Sequence, residues 1–376
     1  MKFLLIYVPN LRFAGYIDNY RTCKLIDISE IVTRTNENNS EYPIMMISAG
    51  KGFIAQSEKY SRDNAGTSIN KYILLKKGEL AYNRGNSKQF PYGAIYEMKE
   101  ECALIPYVYH CFNIYDESTR YFSHYLNSPF KDEQLSKIIT SSVRGNGLLN
   151  ISKNDFFNLS LNVPSIKEQN KIAKFLDLID QRIQTQSKII DSYFSLSKAI
   201  SNTLIGQSKG NTRLRECLNC YSSNTMESVI KQEDLGDYPV YGANGIIKKI
   251  NNYEIEYPSI AIVKDGSGVG KMFKLSGKYS ILSTLNYLTS KPGYDIDYIY
   301  YALKQKSLKK YVVGSGIPHI YFKDYEQEKI YIPQNELKQQ NITSVLQSID
   351  EEIGNEIKQL KNYELLKKYL LKNMFV

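Results

Sequence analysis

The chain has 376 residues, which is too long for one ordinary hydrophobic core and fits two domains with connecting segments. An apolar fraction of 42% argues against disorder, and no apolar run approaches the roughly 20 residues that cross a membrane. The net charge of +9 favours a polyanionic partner, although an ordinary basic surface explains the charge equally well.

Five cysteines are scattered along the chain, which argues against a disulfide framework and for a reducing compartment. Cys217 and Cys220 form a CxxC pair, but a zinc site needs a second pair and none lies at a useful spacing. The apolar run Phe3 to Val8 is too short for the core of a signal peptide. We therefore expect a cytoplasmic protein without a metal site.

Residues 1–164 are predicted to form a first domain of mixed α and β structure. Short segments rich in Ile, Tyr, Val and Leu alternate with Gly, Asn and Ser turns, which is typical of strands. The predicted strands are Pro43 to Ser48, Tyr72 to Leu75, Leu80 to Tyr82, Ala94 to Tyr96 and Leu159 to Val163. Arg120 to Asn127 and Lys131 to Ile139 are predicted to be short helices.

A long helix is predicted over residues 165–207. Ser165 and Glu168 have capping-box spacing just after Pro164, which favours a helix start there. Apolar residues then recur in steps of four and three, the spacing of a coiled-coil seam. The seam residues are Ile172, Leu176, Ile179, Ile183, Ile190, Tyr193 and Ile200, with Gln186 interrupting them.

Residues 208–333 are predicted to form a second domain of the same kind, and residues 334–376 a second long helix. The predicted strands are Ser259 to Val263, Lys271 to Leu275 and Lys329 to Ile332, and Ile296 to Leu308 is a predicted helix. The final helix is predicted to start near Glu336 and to carry Ile342, Leu346, Ile349, Ile353, Ile357, Leu360, Leu366 and Leu370 on its seam.

Two long helices with apolar stripes are not stable alone in water, so we expect them to pack on each other in antiparallel orientation. The predicted fold class is therefore α+β, with two mixed α/β domains separated by a coiled-coil spacer.

An internal repeat joins the two halves of the chain. Ile151 to Ile183 and Ile320 to Ile353 share one layout about 170 residues apart, and one inserted residue after the second proline restores the register. The matched polar and proline positions are Asp155 with Asp324, Pro164 with Pro333, Gln169 with Gln339 and Asp180 with Asp350. The duplication predicts a protein that presents two similar modules at a fixed distance.

Motifs for catalysis are incomplete. Asp265 to Met272 reads DGSGVGKM, but a Walker loop needs glycine where Asp265 stands and Ser or Thr where Met272 stands, so a Gly-rich hairpin turn is favoured. Glu97 and Lys99 have the spacing of a nuclease pair without the upstream Pro-Asp partner. No GxGxxG follows a strand, and the tetrapeptide of amino-group DNA methyltransferases is missing. The chain is therefore not predicted to be an enzyme.

Loops of the second domain carry candidate DNA contacts. Lys264 and Lys271 flank the Gly-rich turn, whose small backbone can approach a phosphate closely. Gly314 to Ile320 is a loop shaped by Gly and Pro that would hold His319 in a defined pose.

The first domain carries further candidates. Ser142 to Ile151 is the counterpart of the His319 loop and contains Arg144 and Asn146. Arginine suits paired hydrogen bonds to guanine, and asparagine suits adenine, although a solvated loop arginine explains the same pattern equally well. Arg84 is a third candidate for base reading in this domain.

Several segments resemble those of one family. Pro9 to Tyr16 (PNLRFAGY), Lys24 to Ile28 (KLIDI) and Lys77 to Tyr82 (KGELAY) precede the repeated proline, Gln, Ile and Asp pattern of Val163 to Asp180 and Ile332 to Asp350. Together these residues resemble the specificity (S) subunits of type I restriction–modification systems, over essentially the whole chain.

The resemblance implies two target recognition domains, each reading one half of a split site in double-stranded DNA, and a helical spacer that sets the gap. Two methyltransferase (M) subunits would bring S-adenosylmethionine, and two restriction (R) subunits would bring ATP-driven translocation and cleavage, with Mg²⁺ also on the partners. The chain itself would bind no cofactor and no membrane. Arg213 to Leu218 is a loose version of the usual start of the second domain.

The two seams are expected to form the spacer and the docking platform for the M subunits. These residues are Ile172, Leu176, Ile179, Ile183, Ile342, Leu346, Ile349 and Ile353. The alternative is a scaffold whose coiled coil joins two protein-binding modules, which would not bind specific duplex DNA. A self-sufficient nuclease or methyltransferase would instead show activity in the purified chain alone.

Overall fold

A computed structural model describes residues 8–36, 41–59, 66–139, 148–230 and 236–376. The chain divides into two compact units, Met1–Ser187 with Gln359–Val376, and Lys188–Lys358. Both units mix strands and helices, which confirms the predicted fold class. The predicted domain limits at residues 164 and 333 stay predictions.

The first unit begins with short strands and turns. Its strands are β1 Arg21–Lys24, β2 Ser29–Ile31, β3 Met45–Ser48, β4 Gly52–Ala55, β5 Ile73–Lys76, β6 Leu80–Asn83, β7 Ala94–Glu97, β8 Cys102–Ile105, β9 His110–Ile114 and β10 Ser160–Val163. Its helices are α1 Gln56–Lys59, α2 Thr119–Tyr125, α3 Pro129–Ile138 and α4 Lys153–Phe157, with 3-10 turns at Leu25–Ile28 and Gly66–Lys71. The strands and the helices α2 and α3 lie within a few residues of the predicted ones.

The long helix α5 spans Ile166–Ser201 and ends in a π turn, Asn202–Gly206. The strands of the second unit are β11 Thr212–Arg213, β12 Leu218–Ser222, β13 Tyr238–Gly242, β14 Gly245–Ile250, β15 Ser259–Val263, β16 Met272–Leu275, β17 Ser280–Ile281, β18 Leu285–Ser290 and β19 Lys329–Ile330. The helices are α6 Leu214–Cys217, α7 Ile296–Lys304, α8 Phe322–Tyr325 and the final α9 Glu336–Asn373, with 3-10 turns at Glu227–Val229 and Leu308–Tyr311.

The main sheets of the two units have the same topology. In the first unit the strand order is β2-β9-β6-β7, and in the second it is β12-β18-β15-β16, with every neighbouring pair antiparallel. Each unit also pairs its first strand with its last, β1 with β10 and β11 with β19. The duplication therefore extends through both units, well beyond the stretches in which the sequence reveals it.

The core of the first unit combines residues from distant parts of the chain. Ile172 and Leu176 from the start of α5 pack in the same buried cluster as Leu370, Met374 and Phe375 from the end of the chain. The first unit is therefore closed by the last residues of the sequence.

Polar contacts give the direction of these helix ends within the first unit. Lys367 Nζ lies 2.5 Å from Asp180 Oδ1. The Val376 carbonyl accepts from Tyr125 Oη at 2.8 Å and from Asn162 Nδ2 at 3.4 Å. Later residues of α9 thus lie beside earlier residues around the start of α5, so these two segments are antiparallel.

The second unit uses the opposite ends of the same helices. Ile342 and Leu346 from the start of α9 share a buried cluster with Ile205 from the π turn after α5. Each unit therefore contains the start of one long helix and the end of the other.

The predicted seam residues of α5 are buried or partly buried, whereas two of those predicted for α9 are exposed. Ile172, Leu176, Ile190, Ile342, Leu346, Ile353 and Leu370 are buried, and Ile179, Ile183 and Ile349 are partly buried. Gln186 does not interrupt the seam, because it is itself only 4% exposed. Ile357 and Leu366 are exposed, since four-three stepping from Ile353 brings Glu356 and later Lys367 to partly buried positions.

The repeated proline and glutamine have a shared physical role. Gln169 Nε2 donates to the Pro164 carbonyl at 2.9 Å, and Gln339 Nε2 donates to the Pro333 carbonyl at 2.8 Å. Both glutamine side chains are buried, where an unpaired carbonyl is costly. The repeated pair therefore fixes the chain as it enters each long helix.

The first helix start has an additional ion pair. Arg12 donates to both carboxylate oxygens of Glu168 at 2.8 Å, and Tyr20 Oη lies 3.2 Å from Glu168 Oε1. The Glu168 side chain is fully buried, and that of Arg12 is 12% exposed. The opening segment that resembles the family is therefore bound directly to the first repeat.

Candidate nucleic-acid interface

Three loops of the second unit meet at one place, and we call them the loop cluster: residues 242–245, 264–271 and 313–319. The Ile320 amide donates to the Lys264 carbonyl and the Gly266 amide to the Pro318 carbonyl, both at 2.9 Å. Lys271 Nζ donates to Asn244 Oδ1 at 3.1 Å. The predicted candidates Lys264, Lys271 and His319 therefore lie on loops that contact one another.

The connection between β15 and β16 is the Gly-rich hairpin turn that the sequence predicts. The strands pair with Ile262 opposite Met272, and the turn is closed by the Gly270 amide donating to the Val263 carbonyl at 2.9 Å. Gly266 has a φ of 92°, a left-handed conformation that side chains other than glycine rarely adopt. The glycines thus shape a turn, and no phosphate-binding helix start follows them.

The loop of His319 is tightly closed. Val313 and His319 exchange both backbone hydrogen bonds, at 2.9 and 2.8 Å. His319 Nδ1 lies 3.3 Å from the Ile317 carbonyl, and its ring centroid lies 5.2 Å from that of Tyr321. The partly buried imidazole is therefore held in a defined pose, as the loop sequence predicts.

The two lysines of the loop cluster differ in their electrostatic surroundings. The Lys264 ammonium pairs with the carboxylate of its neighbour Asp265, which offsets its charge. Lys271 is exposed and its ammonium contacts the neutral Asn244 amide. Lys271 is therefore the better placed of the two to neutralise a phosphate.

The first unit has a matching arrangement around Arg84. The Leu149 amide donates to the Arg84 carbonyl at 3.0 Å, as Ile320 does to Lys264. The Arg84 guanidinium donates to the carbonyls of Ile151 at 3.1 Å and Val108 at 3.3 Å. Arg84 thus braces two backbone segments, and its role in base reading stays a prediction.

The counterpart loop of the first unit lies partly outside the described residues. Arg144 and Asn146 fall in residues 140–147, so their candidacy stays a prediction from the sequence.

A buried lysine lies under the β6–β7 connection and was not foreseen. Lys131 is 1% exposed, and its ammonium donates to the Gly93 carbonyl at 2.6 Å and lies 3.4 Å from the Asp132 carboxylate. Burial lowers the pKa of Lys131 to about 8, against the opposing effect of Asp132. The sequence gives no sign of this, since lysine in a helix is usually solvated.

The possible nuclease pair Glu97 and Lys99 and the CxxC cysteine Cys217 have ordinary structural contacts. Lys99 pairs with Glu97 at 2.5 Å on the surface, which fits an ordinary ion pair. The Cys217 thiol donates to the Leu214 carbonyl at 3.5 Å, and burial raises its pKa to about 12. A thiol with that pKa stays protonated at neutral pH and is a poor metal ligand.

An outer groove of the first unit lies between α2 and α5. Asp177 accepts from His124 Nε2 at 2.9 Å and lies 3.7 Å from Arg120. Burial raises the pKa of Asp177, but the hydrogen bond and charge of His124 have a larger combined effect. The pKa of Asp177 is therefore lowered. Leu178 borders the same groove with half of its surface exposed.

A family profile described as "Type I restriction modification DNA specificity domain" matches residues 212–362. The type I restriction enzyme MjaVIII specificity subunit of Methanocaldococcus jannaschii is 34% identical over 169 residues, a match that covers 41% of this chain and 39% of that relative.

The fold is similar to that of a solved type I S subunit. The crystal structure of the type I restriction–modification system S subunit from M. genitalium matches with a TM-score of 0.67 and 16% identity, over 98% of this chain and 99% of that one. The resemblance to type I specificity subunits is confirmed.

A second solved chain has a similar fold. It comes from work on complex assembly and conformational transition of the type I R-M system, and matches with a TM-score of 0.53 and 15% identity over 95% of this chain and 97% of that one. The region matched by the family profile, residues 212–362, contains the entire loop cluster. None of the helices in the described ranges is long and apolar enough to span a membrane.

Proposed function

We propose that this chain supplies sequence specificity to a type I restriction–modification complex, with each unit reading one half of a split site in double-stranded DNA. The supporting observation is that one sheet topology carries different side chains in the two units. Arg84 and Lys264 hold equivalent places after β6 and β15, and the bridges Gly85–Leu148 and Asp265–His319 correspond. A shared scaffold with unlike loops suits the reading of two unlike half-sites.

Each candidate residue has a role in this proposal. Lys271 binds a phosphate and fixes the register of the second unit on the duplex, while His319 reads a base edge. In the first unit Arg84, Arg144 and Asn146 remain the candidates for base reading. Lys264, whose charge is offset by Asp265, positions the His319 loop through its carbonyl, which accepts from the Ile320 amide.

The long helices dock two M subunits in this proposal. The buried seam residues hold the spacer together, so the docking surface is made by apolar side chains that point away from the seam. On these helices the exposed ones are Ile166, Leu178, Ile189, Phe194, Leu196, Leu337, Val345, Ile357, Leu365, Leu366 and Tyr369. Partner subunits would carry S-adenosylmethionine, ATP and Mg²⁺, and R subunits would cleave, so the chain itself would be non-catalytic.

Methylome sequencing of cells with and without this chain tests the specificity role. We expect one split methylated motif to disappear when the chain is removed and to return when it is restored. The purified chain alone is expected neither to methylate nor to cleave DNA. Methylation that persists unchanged without the chain, or activity of the chain alone, would contradict the proposal.

Docking is tested on the outer face of α9. Leu365 and Tyr369 are 55% and 57% exposed and lie one helical turn apart on one face. The double variant Leu365→Asp with Tyr369→Ser should keep its fold and bind the M subunit at least tenfold more weakly by titration, about 1.4 kcal/mol. Lys361→Glu, an exposed neighbour, controls for added negative charge. Unchanged assembly of the double variant would exclude this face.

A further inference from the structure

An apolar side chain stands at the tip of the loop cluster. Ile317 is 71% exposed, the largest exposure among the large apolar side chains of the second unit within the described residues. It belongs to the same closed loop as His319, on which the proposed function places DNA contacts. Burial of a large exposed aliphatic group against a partner is favourable.

The backbone around Ile317 is closely packed. Gly314 has a φ of 98°, and a Cβ at that position would lie 2.4 Å from the Ile317 carbonyl and 2.9 Å from His319 Nδ1. The backbone of the tip is therefore packed directly on Gly314. The next residue, Pro318, is fixed in turn by the hydrogen bond from Gly266. The main chain of the tip folds inward, and the isoleucine side chain points outward. Because the loop backbone is already ordered, binding through this side chain costs little conformational entropy.

The surroundings indicate what the side chain meets. The exposed ammonium of Lys271 and the amide of Asn244 belong to the same cluster and suit phosphate and polar contacts. Among the groups on base edges in the major groove, the C5 methyl of thymine is the apolar one, and aliphatic side chains contact it. We propose that Ile317 recognises an A·T pair in the second unit's half-site by packing on the thymine methyl. This inference rests on the proposed function.

Replacing thymine by uracil tests the contact, because it removes only the methyl group. The duplex carries the split motif found by methylome sequencing, and each thymine of each half-site is replaced in turn. Binding of the full chain together with its M subunit is measured by titration. For the wild type we expect uracil at one position of one half-site to weaken binding about fourfold, since a buried methyl is worth about 0.8 kcal/mol.

The variant Ile317→Ala identifies the side chain responsible. It should bind the thymine duplex at least fourfold more weakly and lose further sensitivity to uracil at that position, while keeping it elsewhere. Ile317→Val should retain part of the sensitivity. Met226→Ala, which removes another exposed apolar side chain of the same unit outside the loop cluster and the long helices, should behave like the wild type. Because Ile317 is exposed, we expect the thermal unfolding midpoints of all variants to agree.

The outcomes separate the inference from the proposed function. Absence of any sequence-specific binding contradicts the proposed function. Specific binding in which no thymine is sensitive to uracil, or in which Ile317→Ala is as sensitive as the wild type at every position, overturns the role of Ile317 alone. If the half-site read by the second unit contains no A·T pair, the role of Ile317 is likewise overturned.

Discussion

The starts of the two long helices match at their buried apolar positions and at a glutamine, whereas the loops on the two sheets share almost no side chains. Ile172 and Leu176 have the same burial as Ile342 and Leu346, and both glutamines bind the preceding proline. The loops instead offer an arginine braced on carbonyls in one unit and lysines with an exposed isoleucine in the other. The helix starts are therefore the shared structural part of the two units, and the loops are the part that differs between them.

The largest expected effect comes from a position at which the two helix starts differ. Glu168 is fully buried against Arg12, but the equivalent position in the second repeat holds the exposed Lys338. Arg12→Ala leaves a buried carboxylate without its cation, which should cost about 3–5 kcal/mol in unfolding free energy measured with urea. Lys338→Ala should stay within about 0.5 kcal/mol. Similar losses in both variants would show that Glu168 needs no partner.

Matched leucines test whether the two starts are energetically equivalent. Leu176 and Leu346 are both fully buried, so truncation of either to alanine should cost about 2–5 kcal/mol, with similar values for the two. Val345→Ala, next to Leu346 but 46% exposed, is the control and should cost less than about 1 kcal/mol. Very different losses at the two leucines, measured by urea unfolding, would break the equivalence.

Lys131 distinguishes the first unit through pH, because no lysine is buried in the described part of the second. Its pKa falls from 10.5 to about 8 on folding, so between these values the unfolded chain binds more protons than the folded one. The unfolding free energy should therefore rise with pH through this window, by about 3 kcal/mol in total. The difference between wild type and Lys131→Met isolates the effect, and parallel pH profiles would contradict it.

The smallest effect concerns the loop cluster. Lys271→Ala should weaken binding of all DNA sequences alike and reduce the slope of log K against log salt by about one, as expected for the loss of one phosphate contact. Lys278 is also exposed, lies at the other end of β16 and stacks over Tyr253, so Lys278→Ala is the control. Equal salt slopes for the wild type and Lys271→Ala would remove this lysine from the interface.

Local patterns in the sequence predicted much of the fold. The start of α9 at Glu336 and the strand Ser259–Val263 agree with the structure, because helix periodicity and β-branched runs are local signals. The seam prediction failed at Ile357 and Leu366, since it followed apolar residues while the four-three stepping passed through Glu356 and Lys367.

The site was less predictable because its geometry depends on distant segments. The loop cluster joins residues far apart in the sequence, and only the hydrogen bonds of Lys264 and Pro318 show that these loops meet. Arg84 was predicted from its residue type, but the carbonyls of Val108 and Ile151 that bind its guanidinium could not be foreseen. Lys131 was missed for the same reason, since its partner Gly93 lies on another element.

The exchange of helix ends between the two cores has a consequence for synthesis on the ribosome. Leu370, Met374 and Phe375 belong to the core that also contains Leu25. The unit that is made first therefore cannot complete its interior until Phe375 has been translated, whereas the second unit's cluster around Ile205 is complete at Leu346. Until then the nascent first unit exposes part of its apolar core. Mutations near Phe375 should therefore impair folding of the unit that is synthesised first.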